Sequence, residues 1–122
     1  MGYHVFRATE LDPTPDRPSV QRAIADAAGL EHFALNLYEP EPGEQLPLAY
    51  HYHREQEEAL YVIQGTIRVE TPDGDRTIGT DEVFIAEPES PHRAYTPETA
   101  DRGARVLAIG APRVDDAEVY EP

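Results

Sequence analysis

The chain has 122 residues, a length that suits one domain with a hydrophobic core of its own. It has no cysteine, which excludes disulfides, thiolate metal sites and cysteine nucleophiles, so any metal must be held by nitrogen and oxygen. Twenty-four acidic residues against ten basic ones give a net charge of −14, which argues against nucleic acid or an anionic membrane as partner.

Residues 1–30 read as an N-terminal strand, a loop and a short helix. "MGYHVFRATELDP" lacks the apolar run of a secretion signal, and no window reaches the ~18 apolar residues of a membrane span, so a cytoplasmic protein is expected. Within it "YHVFRA" has the pattern of a strand, and "ELDPTPDRPS" is a loop by composition. "SVQRAIADAAG" predicts a helix capped by Ser19, with Val20, Ile24 and Ala27 on one face and Gly29 as its stop.

From residue 31 the period changes to two. In "HFALNLYE", Phe33, Leu35 and Leu37 alternate with Ala34, Asn36 and Tyr38, the pattern of a strand with one buried face. After the loop "EPEPGEQLP", further strands are expected at "LAYHYH", "ALYVIQ", "TIRVE", "RTI", "EVFIA", "HRAYT" and "RVLAIG". The Asp-Gly pair in "TPDGD" marks a hairpin turn. About nine short strands with frequent turn signals predict an all-β sandwich or barrel. Residues 31–110 form that barrel, and 111–122, "APRVDDAEVYEP", an acidic tail lying over the surface or a sheet edge, all within one structural domain.

One constellation carries chemistry. In a strand His51 and His53 point the same way, roughly 7 Å apart at Cα, with Tyr52 opposite. If the next strand pairs antiparallel, Glu58 lands beside them, sharing a face with Leu60 and Val62. A carboxylate against that apolar wall needs a partner, and a metal is one. Glu57 is the alternative ligand, but strand parity turns it away. His92 opens a later strand that can lie next to the first pair. Three imidazoles and a carboxylate suit Fe, Mn, Ni, Co, Cu or Zn. His4 and His32 read as surface residues, and Tyr50, Tyr52 and Tyr61 as outward-facing ones.

These residues resemble the small single-domain cupins. That family's first motif is G-x5-HxH-x3,4-E-x6-G. Here His51 and His53 supply the HxH, four residues separate His53 from Glu58, and six separate Glu58 from Gly65. The leading glycine corresponds to Gly43, with seven intervening residues. The second motif, G-x5-P-x-G-x2-H-x3-N, keeps only His92; its glycines fall on Asp81 and Glu89, its proline on Glu87 and its asparagine on Thr96. The resemblance implies a cupin β-barrel, the double-stranded β-helix of jelly-roll type, with one short N-terminal helix. It also implies one divalent transition metal on His51, His53, Glu58 and His92.

Such a chain is expected to act on a small molecule as a metal-dependent enzyme, with oxygenase-type chemistry favoured and Glu58 as base if it detaches. Metal-assisted isomerisation or epimerisation of a sugar, and a non-catalytic ligand-binding or sensor role, are the alternatives. Arg68, Arg76, Arg93 and Arg105 are the candidates for holding a phosphate. A homodimer is expected, because a lone barrel leaves sheet edges that need cover. All ten basic residues are Arg, and this Lys-free, Asp/Glu-rich composition resembles that of proteins from extreme halophiles.

Overall fold

The computed structural model describes residues 2–122. Its ten strands are β1 (Val20–Ala23), β2 (Ala34–Glu39), β3 (His51–His53), β4 (Glu57–Gln64), β5 (Ile67–Glu70), β6 (Arg76–Ile78), β7 (Val83–Ala86), β8 (Arg93–Tyr95), β9 (Arg105–Ala111) and β10 (Ala117–Val119). One helix, α1, spans Ile24–Ala28. All strand pairs are antiparallel. One sheet runs β1-β2-β9-β4-β7. The other is built from β10-β3 and β6-β5-β8, which meet where His51 bridges to His92. Two sheets of five strands thus face each other around one interior, the double-stranded β-helix.

Strand parity decides what that interior holds. Val62 of β4, Ile67 and Val69 of β5 and Val106 of β9 point inward and are buried, closing one end with β-branched side chains. At the other end the inward positions are small: Ala34 on β2, Ala94 on β8, and Ala108 and Gly110 on β9. A cavity opens there. Gly65 is the turn between β4 and β5. Its φ is +86°, and a Cβ there would come within 3.0 Å of the Ala104 backbone, so only glycine fits without displacing the chain.

Several expectations are corrected. Val20–Ala23 is not the first turn of a helix but an edge strand on β2, and only Ile24–Ala28 is helical. Ser19 does not cap; its hydroxyl donates to the Gln45 carbonyl at 2.8 Å. An unpaired β2 edge offers four residues of ladder, more than a short isolated helix gains on its own. Gly29 does end the helix, in the left-handed conformation. In β2 both faces are covered: Leu37 is buried opposite to Tyr38, and α1 packs on this strand.

The Tyr3–Ala8 stretch forms no strand; residues 2–7 belong to no helix or strand, and Ala8–Glu10 is a turn of 3-10 helix. The acidic tail does lie on a sheet edge, and it does so as a strand, β10, paired with β3. The larger correction concerns β3 and β4, which do not pair. The corner Arg54–Gln56 crosses from one sheet to the other, so Glu58 reaches the histidines across the barrel, not along a ladder.

Candidate metal centre

His51 and His53 leave β3 toward the interior, and His92 joins them from the bridge preceding β8. Glu58 faces them from β4, with Leu60 and Val62 on its side and Glu57 exposed on the other. The His51 ring centroid lies 5.0 Å from that of His53 and 4.6 Å from that of His92. His51, Glu58 and His92 each offer a donor atom, all within 4.8 Å of one another, which is close enough to hold one metal ion. His53 stands slightly outside that trio, its Nε2 4.0 Å from Glu58 Oε2.

Each ring is held by its far nitrogen. His51 Nδ1 donates to the Ala49 carbonyl at 2.7 Å, His92 Nδ1 to the Ser90 carbonyl at 2.9 Å, and His53 Nδ1 to Asp116 Oδ1 at 2.8 Å. Carbonyl and carboxylate oxygens only accept, so Nδ1 carries the hydrogen in all three. That leaves each Nε2 as the atom presented to the cavity. His53 Nε2 is buried and has no hydrogen-bond partner, which is costly unless something outside the chain meets it. Imidazoles fixed by an acceptor behind, with Nε2 turned toward a shared carboxylate and the cavity, are the arrangement metal ligands adopt. The residues therefore fit a divalent transition ion.

The electrostatics agree. Burial pushes the His51 imidazole below its ordinary value, which favours the neutral, ligating form. Burial would also raise Glu58, but the hydrogen bond from His92 and the nearby imidazoles outweigh it and hold the carboxyl low. Burial opposes the charge on His92 as well, yet Glu58, accepting from Nε2 at 3.0 Å, raises it. Without an ion, Glu58 and His92 form a hydrogen-bonded ion pair, whose proton a metal would replace.

The cavity in front of these groups measures about 160 Å³. Leu46, Leu48, Leu60, Ala94 and Ala108 form its apolar wall, and Asn36, Tyr38 and Gln56 its remaining polar lining. No arginine lines it among the described residues. Arg68 pairs with Asp75, Arg93 with Glu70 and Arg105 with Glu39, while Arg76 is exposed elsewhere. The family model of the cupin domain matches residues 36–110.

The chain is a cupin.

Among curated proteins none matches it. Among solved structures, this cupin superposes on a sugar phosphate isomerase of the cupin superfamily from Silicibacter pomeroyi with a TM-score of 0.68 and 26% identity, over 77% of this chain and 59% of that one. It matches the polyketide cyclase RemF from Streptomyces resistomycificus at a TM-score of 0.79 and 20% identity, over all of this chain and 87% of the other. A predicted oxalate decarboxylase from Thermotoga maritima gives 0.74 and 18%, over 89% and 99%. The chain spans only about three fifths of the isomerase, and the other two likenesses show fold alone. A fold does not give a reaction, so the site must be argued from its own residues.

The altered second motif of this cupin has a backbone explanation. Asp81 and Glu89 stand where the family has glycine, and both hold the left-handed conformation, with φ of +66° and +64°. The turns survive although the residues that favour them do not. Tyr61 steadies the first by donating to Asp81, and the second is tied to the site by the Glu89 amide, which donates to the His53 carbonyl. Thr96, in place of asparagine, is fully buried, and its hydroxyl reaches the Pro40 carbonyl. Glu89 is exposed, so only its backbone opposes it. Glu89→Gly is expected to stabilise the protein by about 1 kcal/mol in urea unfolding. A loss of stability would show that the turn bears no strain.

Sequence reasoning missed Asp116, Asn36 and Tyr38. The alternation in β2 put Asn36 and Tyr38 on one face, but nothing local told which face lines the cavity. Asp116 had no signal, being one acid in a tail of several. Burial works to raise its carboxyl, but hydrogen bonds from the Gln56 and Glu55 amides and from His53 outweigh that and hold it below the usual range.

Proposed function

We propose that this cupin is a metal-dependent enzyme that binds one divalent transition ion on His51, His53, Glu58 and His92. It acts there on a small, uncharged, largely apolar molecule, with oxygenase-type chemistry. The observation that carries this reading is the convergence of three oriented imidazoles and one carboxylate at the end of a cavity that no arginine lines among the described residues. When bound, the ion supplies Lewis acidity toward a substrate oxygen and, if it is redox-active, electrons for dioxygen.

The residues divide the remaining work. Glu58, detached from the ion, is the group placed to take a proton from a substrate at the metal end. Burial, and then the charge of Glu58, raise the Tyr38 phenol, so it stays a neutral hydrogen-bond donor. With Asn36 it fixes the orientation of a substrate whose body lies on Leu46, Leu60 and Ala108. A phosphate would need a cation to offset its charge. None of the candidate arginines lines the cavity, which weighs against a sugar phosphate.

The test loads the protein with Fe(II), Mn(II), Co(II), Ni(II), Cu(II) or Zn(II) and screens uncharged phenols, enols and ketones by thermal shift, then by oxygen electrode. Turnover with oxygen consumption supports the oxygenase reading. Turnover without it points to isomerisation, and stabilisation without turnover to a binding protein. Tyr38→Phe is expected to keep its metal and weaken the ligand roughly 2–10-fold, the worth of one hydrogen bond. Unchanged affinity would remove Tyr38 from the substrate.

The same proposal makes the chain a homodimer. On the outer face of the first sheet, Ile85, Ala59 and Ile109 lie in register across β7, β4 and β9, with Val83, Tyr61 and Leu107 in the next row. Val83, Ile85 and Ile109 are about half exposed, and Tyr3 and Val5 more so. A second copy would cover them. Light scattering in high KCl is expected to give a dimer, and Ile85→Asp a monomer. A wild-type monomer at micromolar concentration would remove the idea. No described helix is long and apolar enough to cross a membrane.

A further inference from the structure

We infer that Asp116 is a positioning residue for the metal centre, and that docking of β10 and metal binding are one linked event. The inference rests on the metal-dependent reading above. It concerns a segment beyond residues 36–110, the span matched by the cupin domain.

The three histidines are not held alike. His51 and His92 donate Nδ1 to carbonyls two residues earlier in the chain, so their orientation comes with their own strands. His53 depends on a side chain 63 residues away. Asp116 uses both of its oxygens. Oδ1 accepts from His53 Nδ1 at 2.8 Å, and Oδ2 accepts from the amides of Glu55 and Gln56 at 2.7 and 2.8 Å. Those amides form the corner that carries the chain from His53 in one sheet to Glu58 in the other. A single carboxylate thus fixes the ring of one ligand and the spacing to the next. Its side chain is only 11% exposed.

Without that acceptor, no other described hydrogen bond keeps His53 in the tautomer that leaves Nε2 free. The orphaned Nε2 would then be free to turn or to carry the proton.

What delivers Asp116 is weakly held. β10 lies on β3 with Ala117 opposite His53, and the Tyr120 amide donates to the Tyr50 carbonyl at 3.0 Å. The Tyr50 and Tyr120 rings meet at 4.9 Å. Yet Ala117 and Val119 are exposed, and the Arg54–Glu118 ion pair is solvated, so little apolar area secures the strand. An edge strand of this kind opens more readily than the core. Coupling between two binding equilibria is reciprocal. If the docked strand strengthens metal binding by orienting His53, the metal must strengthen docking of the strand by the same factor.

The test uses the full chain and Co(II), with affinity measured by competition against a chromophoric chelator. Asp116→Ala is expected to weaken Co(II) roughly 10–100-fold, the range for removing an outer partner of a ligand, and to shift the Co(II) absorption bands. Asp116→Asn should fall between, since it keeps one acceptor oxygen. Glu118→Gln, which breaks only the solvated ion pair, should stay close to wild type. In the wild type, Co(II) should slow hydrogen exchange at the Tyr120 amide, and in Asp116→Ala it should not.

A merely structural role for Asp116 would lower the melting temperature of the metal-free protein while leaving Co(II) affinity and spectrum unmoved. That outcome, in Asp116→Ala and Asp116→Asn alike, overturns the inference, as does Tyr120 exchange indifferent to Co(II). If Asp116→Ala does not fold, Asp116→Asn and the wild-type exchange still decide. A wild type that binds no Co(II) overturns the metal-centre reading itself. A wild type that binds it through His51, with Asp116 indifferent, overturns only the present inference.

Discussion

The His51→Ala/His53→Ala double variant is expected to emerge from purification without metal, and the native protein with about one divalent ion per chain. Removing an outer partner of a metal ligand already costs roughly 10–100-fold in affinity, and removing a ligand costs more. Two ligand losses together weaken binding by at least roughly 100-fold to 10,000-fold if they act independently. The fold should survive, because both side chains stand at the cavity end and outside the apolar cluster of Val62, Ile67, Val69 and Val106. Asp116 keeps its two amide donors when His53 is gone, so no buried carboxylate is orphaned. Elemental analysis of untagged protein, beside a circular dichroism spectrum to check the fold, makes the measurement. Full occupancy in the double variant would mean that the ion, if any, is held elsewhere.

Ile67→Ala should do the opposite, costing stability while leaving the site alone. Ile67 is fully buried on β5, opposite Ile78 of β6, at the closed end of the barrel. Truncating a buried isoleucine to alanine costs about 2–5 kcal/mol, because transfer and cavity costs add. Native domains hold only about 5–15 kcal/mol in all, so this is a large share. At roughly 2–8 °C per kcal/mol for domains of this size range, the melting temperature should fall by at least about 4 °C. Co(II) affinity of the folded fraction should match wild type, since small side chains and the cavity separate Ile67 from the ligands. A melting temperature within about 2 °C of wild type would show that the closed end is loosely packed. A matching loss of metal affinity would show that the two ends of the barrel are coupled.

Local chemistry determined a good deal by itself. Period-two patterning marked eight of the strands, because a half-buried strand writes its alternation into consecutive residues. The parity of His51 with His53, and of Glu58 with Leu60 and Val62, follows from the same geometry, and it turns Glu57 outward as the sequence implies. Gly65 and Gly29 were legible because a left-handed backbone selects glycine. The second motif was not, since Asp81 and Glu89 hold the same conformation without the residue that advertises it.

Tertiary structure decided the rest, wherever an outcome depended on a partner distant in the chain. Val20–Ala23 has a helical pattern but becomes a strand because β2 presents an open edge. Glu58 meets the histidines across the interior because β4 finds β9 and β7, separating it from β3. Which face of β2 lines the cavity depends on packing around the whole strand: α1 lies against it, Leu37 is buried on one face, and Asn36 and Tyr38 line the cavity from the other. Asp116 becomes the anchor of His53 only when β10 is laid along β3. A hydrogen bond spanning 63 residues leaves no mark on the residues beside it, so a periodic pattern can announce the strand that carries a ligand but not the carboxylate that aims it.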